Sequence, residues 1–257
     1  MLPIKHKQIQ SNHSILQFAS PFGAALLYLI YITAVPTICS ARDHYSVVLD
    51  RFVDVSPEEF MRRLDRERPP APDPHSRVMI IAALPREGEV KRLTAAQERK
   101  LDSLLPVLRV HGRDGIYTVK ILDSCQARLG LHARFVLLIS ETALTALTPV
   151  QLEAAVAHEI GHEYVWEDFE RSRTHGDSEH VRELELFCDG IAAVTLARIG
   201  EDPGVWIAAL ERLYAQDRSR GLVHGNENEY PSLQERCRFI KQLRTWLLDG
   251  GKERPSR

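Results

Sequence analysis

Apolar positions along the chain fall into three kinds of stretch. There is one long uncharged run near the beginning, several short runs of strand length, and helical stripes through the second half. No charged residue occurs between Ser14 and Ala41, and the most apolar part of that run spans residues 22–35, just before Pro36. A run of about 14 residues suits the core of a signal peptide, whereas a bilayer-spanning helix needs roughly 20. Lys5 and Lys7 precede it and Cys39-Ser40-Ala41 supplies small residues before a cleavage point, so residues 1–41 read as a signal peptide. A tilted membrane anchor is the alternative, and a buried core helix a third reading, rare for an uncharged segment behind two lysines. Signal and anchor both predict an exported chain, periplasmic or extracellular, or one held at a membrane with the remainder outside the cytoplasm.

Ser56 as N-cap, Pro57 at the first helical position and Phe60, Met61 and Leu64 on one face predict a helix near the end of residues 42–68. Residues 69–74 (PPAPDP) read as a stiff linker. The apolar run 78–84 reads as a strand, residues 94–105 as an amphipathic helix before Pro106, and residues 116–122 and 135–139 as two further strands. From there the pattern turns helical. Thr148-Pro149-Val150-Gln151 is a capping box with proline at the first helical position. The helix it opens (VQLEAAVAHEIGHEYVW) is apolar nearly all round and should be central. A polar loop is expected from Glu167 to about Asp177, then a helix from about Glu179 to Ile199 stopped by Gly200. A third helix starts at Asp202-Pro203, and a fourth at Pro231 or Ser232 that ends before Gly250. The fold class predicted is α+β, mostly helical with a small mixed β-sheet. Its divisions are 1–41, an N-terminal helical region with the proline-rich linker at 42–110, a principal domain at 111–250 and a polar tail at 251–257.

With 257 residues, 44% hydrophobic and 26% charged, the chain can bury one sizeable core, which excludes wholesale disorder. A net charge of -2 with no sizeable basic patch argues against nucleic acid as a partner. The four cysteines form no CxxC pair, which excludes a cysteine zinc ribbon. Cleavage after Ala41 would remove Cys39 and leave Cys125, Cys188 and Cys237, of which at most one pair could form a disulfide. A buried free thiol is the commoner fate, and Cys188 reads as a small packing residue.

The chemistry concentrates in His158-Glu159-Ile160-Gly161-His162. Two histidines at i and i+4 lie one helical turn apart on one face, so both imidazoles can reach one ion at about 2.0–2.1 Å. Glu159, rotated about 100° from His158, can reach water beside the ion rather than the ion itself. Glu185 follows His162 by 23 positions, room enough for a connection and a helix packed back on the first. Asp189 lies one turn beyond Glu185 and can accept the second ring N–H of a ligating histidine. Two histidines and one glutamate leave the fourth position of zinc open, the arrangement of a catalytic site rather than a closed structural one. Histidines embedded in AVAHEIGHEYV would otherwise be uncompensated polar groups in apolar surroundings. His175 and His180, in the expected polar loop and just after it, read as solvated.

The pieces LEAAVAHEIGHEY, ELFCDGIAAVTLARIG and YPSLQERCRFIKQL, preceded by VKIL and FVLLIS, resemble the HtpX-like and CAAX-prenyl-endopeptidase zinc proteases of the minigluzincin type over about residues 116–245. The resemblance implies a zincin-like domain that binds one zinc ion per chain through His158, His162 and Glu185. It further implies that Glu159 is the catalytic acid and base and that Asp189 supports a ligand. Cys188 replaces the family's usual alanine. Tyr230 stands where the family usually has histidine before the proline, which leaves Tyr230, His224 and Arg236 as candidate donors to the reaction's oxyanion. The short spacing between the metal motifs leaves little room for inserted membrane segments, which favours an exported soluble enzyme. The function implied is a zinc-dependent metalloendopeptidase, with a non-catalytic or chaperone-like zincin module in protein quality control as the alternative. Its partner would be a protein or peptide substrate, unfolded or extended, added as a strand along residues 134–140. Membrane association would run only through the N-terminal segment.

Overall fold

A computed structural model describes residues 44–84, 88–222 and 230–250 of the protein; the expected signal or anchor at 1–41 and the tail at 251–257 lie outside the described residues. The chain begins with α1 (His44–Val53), α2 (Pro57–Glu67), α3 (Pro74–Ala83), α4 (Ala95–Asp102) and α5 (Leu105–Val110). Three strands follow, β1 (Thr118–Leu122), β2 (Leu129–His132) and β3 (Val136–Ser140). The remainder is helical: α6 (Glu141–Ala146), α7 (Pro149–Tyr164), α8 (Trp166–His175), α9 (Ser178–Arg198), α10 (Gly204–Ser219) and α11 (Leu233–Leu248). The class is α+β, mostly helical, with one small mixed sheet.

Three local expectations need correction. Residues 78–84 are not a strand but belong mostly to α3, because Asp73 accepts the Ser76 N–H at 2.8 Å and Pro74 opens the first turn. Helix and strand cannot be told apart by periodicity in so short an apolar run. The expected polar loop after Glu167 is α8, which buries only Phe169 and Ser172 and stops at Gly176 with φ 69°. The single helix over 94–105 is split into α4 and α5, with Pro106 in the first turn of the second rather than behind the end of the first.

The strand order is β1-β3-β2, with β1 parallel and β2 antiparallel to β3. The β3 strand is therefore paired on both sides and offers no free edge, so the expected docking of substrate along 134–140 is wrong. The outer strand is β2, which the sequence reading passed over. Its hairpin to β3 turns through Ala133 (φ 50°) and Arg134 (φ 68°), both left-handed. Two such residues make the turn that matches strand twist, and glycine suits them better than side chains do. Replacing Arg134 by glycine is expected to stabilise the fold by about 0.5–1 kcal/mol. The check is a higher denaturant midpoint at unchanged slope.

Helix α7 sits at the centre, buried from Leu152 to Glu163. One core lies between α7, α10 and the sheet, built on Leu104, Ile121, Leu137, Ile139, Leu152 and Leu210 among others. A second lies on the other side of α9, where Val48 and Phe52 of α1 and Phe60 and Leu64 of α2 meet Ile191, Phe239 and Trp246. Each such side chain contributes on the order of 1.5–3 kcal/mol by leaving water. The α1 helix is seated so closely that a Cβ on Gly190 would lie 2.1 Å from the Phe52 ring. Among the described residues no helix is long and apolar enough to cross a membrane.

Candidate metal centre

The site begins with two helix starts. Thr148 and Gln151 cap each other's backbone N–H groups at the head of α7, at 3.3 and 3.0 Å, and Asp177 accepts the His180 N–H at the head of α9. The face of α7 that carries His158 and His162 is thereby set against the face of α9 that carries Glu185 and Asp189. What lets the helices meet is Gly161: a Cβ there would stand 2.9 Å from the Cys188 Cα and 3.0 Å from its Cβ. Cys188 is buried at this contact and does pack as a small residue. Because the obstructing atoms are backbone and Cβ, Gly161→Ala must push α7 and α9 apart. It is expected to cost about 1–3 kcal/mol and to weaken metal binding by drawing the histidines away from Glu185. Thermal melts and titration against a competing chelator would measure the two effects.

His158 Nε2 lies 3.4 Å from one oxygen of Glu185, and His162 Nε2 lies 3.6 Å from the other. These separations are long for hydrogen bonds. They match the edges of a coordination shell, since tetrahedral donors about 2.0–2.1 Å from an ion stand roughly 3.3–3.4 Å apart. All three donor atoms fall within 4.8 Å of one another, and the three residues are buried. His158, His162 and Glu185 can hold a metal ion. Burial lowers the pKa of His162 to about 4, which keeps its ring neutral and its lone pair available. Burial also opposes charge on His158, but the Asp189 and Glu185 carboxylates beside its ring outweigh it and raise its pKa to about 9. Burial would raise Glu185 as well, yet His162 and His158 hold it below its usual value.

The Asp189 carboxylate organises the back of the site. It takes His158 Nδ1 at 2.9 Å, Trp206 Nε1 at 2.8 Å, and both Nε and Nη2 of Arg236 at 2.8 and 2.5 Å. With Nδ1–H donating to Asp189, Nε2 of His158 is left to face Glu185. Arg236 Nη2 also comes within 3.4 Å of His158 Nδ1, an approach of two donors made tolerable by the carboxylate they share. Burial opposes the charge on Asp189, but Arg236 holds its carboxyl well below the usual range. His162 is oriented differently. Among the described residues no partner reaches its Nδ1, and its ring rests edge-on against Phe169 with centroids 4.6 Å apart.

These groups line an open cleft of about 650 Å³. Glu159 is on its wall, accepting the Leu131 N–H of β2, and burial is the main cause that raises its pKa to about 7. Tyr230 and Arg236 line the cleft too, whereas His224 lies outside the described residues. His175 and His180 are away from it, bonded to Arg171 and Glu183. The sequence reading missed three contributors: strand β2, Phe169 of α8, and the Trp206 and Tyr214 face of α10. A signal for the last was present, because Trp206, Leu210, Leu213, Tyr214 and Asp217 follow helical spacing, but only the fold shows where that face points. No protein-family model matches the chain, and no curated protein matches it either.

Proposed function

We propose that the protein is a zinc-dependent metalloendopeptidase on a zincin-like domain, of the HtpX-like and CAAX-prenyl-endopeptidase type. The observation that carries this reading is the placement of Glu159 beside three buried donors whose mutual distances fit one ion, at the floor of an open cleft. A purely structural ion has no need of that carboxylate. Two imidazoles and one carboxylate suit zinc, which when bound supplies a Lewis acid that polarises a carbonyl and acidifies water. Asp189 keeps the His158 ring in the tautomer that offers Nε2. Glu159 takes the proton of the attacking water and passes it to the departing amine.

The cleft also suits an extended substrate. The Ser140 N–H to Arg128 carbonyl bond, 2.9 Å long, sets the phase of the β2–β3 ladder. Residues 128, 130 and 132 pair with β3, so Leu129 and Leu131 turn main-chain groups towards the cleft. A peptide laid along β2 gains affinity from the main-chain groups there that Glu159 does not already hold, whatever its sequence, which favours unfolded or loop segments.

Metal analysis of the purified chain is expected to give about one zinc per molecule, and His162→Ala to lose it. Hydrolysis of a denatured protein should stop with a chelator and return with zinc. Stoichiometric zinc without any chelator-sensitive cleavage would instead favour the scaffold reading, a zincin module acting without catalysis.

A further inference from the structure

We propose that the Tyr214 hydroxyl is the donor that holds the oxyanion formed when a peptide carbonyl is attacked, with Arg236 behind it as its positioning residue. This rests on the peptidase reading above. Tyr214 lines the same cleft as His158, Glu159 and Glu185. The helix that carries it is fixed in rotation by its other members. Trp206 bonds Asp189 and stacks 5.2 Å from the His158 ring, and Leu210 and Leu213 are buried.

The bonding order supplies the chemistry. Arg236 donates to the Tyr214 hydroxyl as well as to Asp189. A guanidinium has no acceptor, so this bond uses a lone pair of the phenol and none of its hydrogen. Asp189 thus fixes Arg236, whose donation to the phenol oxygen polarises the Tyr214 O–H and makes it a stronger donor. Arg236 itself has Nε and Nη2 committed to Asp189, behind the His158 ring, which makes it a support rather than the donor. Burial raises the Tyr214 pKa against the opposing pull of Arg236, so the phenol remains protonated at neutral pH.

The test uses the full chain loaded with zinc, with two readouts: kinetics on an extended peptide, and calorimetric affinity for a phosphonate peptide whose anionic oxygen imitates the oxyanion. Tyr214→Phe is expected to lower kcat by about 10²–10³-fold with KM nearly unchanged. Affinity for the phosphonate should fall comparably, while zinc content and affinity for a plain product peptide stay as in the wild type. Tyr214→His, which restores a ring donor, should recover part of the loss. Phosphonate affinity and kcat that change by only a few-fold in Tyr214→Phe would overturn the assignment alone, as would the same loss appearing in Tyr230→Phe instead. A zinc-loaded wild type that neither cleaves peptide nor binds phosphonate would overturn the peptidase reading, and this assignment with it.

Discussion

Glu159→Gln is expected to reduce peptide hydrolysis by at least about 10²–10⁴-fold, the usual worth of a positioned general base, while the protein keeps its metal and its fold. Glutamine is nearly isosteric, and its amide oxygen can still accept the Leu131 N–H that Glu159 accepts. It cannot take a proton from water. The metal donors are His158, His162 and Glu185, none of which is altered. The loss should therefore fall on kcat, with zinc content and melting temperature close to the wild type. Activity within about tenfold of the wild type would mean that another group is the base, and would remove the main support for the proposed reaction.

The largest stability effect outside the hydrophobic cores is expected at Arg113 and Glu163. Glu163 follows the second histidine directly and its side chain is fully buried, as is nearly all of Arg113. Two parallel bonds of 2.8 and 2.7 Å join them, Tyr117 donates to the same carboxylate, and Arg113 also reaches the Pro69 carbonyl. Removing one partner leaves the other charge buried and uncompensated, so Arg113→Met should cost about 3–5 kcal/mol. Removing both charges together is a different experiment. Arg113→Met with Glu163→Leu should recover at least half of that loss, since the cost of stripping two ions of water disappears with them. Chemical denaturation of the two variants at constant slope would decide it; equal destabilisation by the single and the double change would show that the pair acts through packing alone. The single variant is also expected to bind zinc less tightly, because the pair fixes the end of α7 next to His162.

How much of this was legible beforehand depended on whether the deciding contact was local. His158, Glu159 and His162 share one helix, so periodicity alone placed them together, and the Thr148 cap announced where that helix starts. Glu185 and Asp189 were legible for the same reason, being one turn apart on the next helix. Their approach to the first helix depends on Gly161 facing Cys188, which neither segment shows by itself. The apolar run at 78–84 misled because Asp73-Pro74 opens a helix that buries none of its residues, so no periodic pattern marks it. Strand β2 was invisible for the opposite reason: LGLH is too short and too mixed to stand out, and it is a strand only because β3 lies beside it. Trp206 and Tyr214 line the cleft bonded to Asp189 and Arg236 on two other helices, a relation that exists only after folding.

The seating of α1 has a consequence for how the molecule is made. Tyr45 donates a hydrogen bond to Gln242, 197 positions away, and its ring packs edge-on to Phe239 with centroids 5.7 Å apart. The first described helix is thus completed by the last. During synthesis the apolar side of α1 emerges early, meets Phe60 and Leu64 of α2 first and Ile191 of α9 much later, and is fully covered only when α11 leaves the ribosome. Contacts so distant along the chain form slowly, because the closure entropy must be met before they contribute. Until then Tyr45 and Phe52 lack the Phe239 ring that both meet in the finished fold, so the seat of α1 is the last part of that core to close.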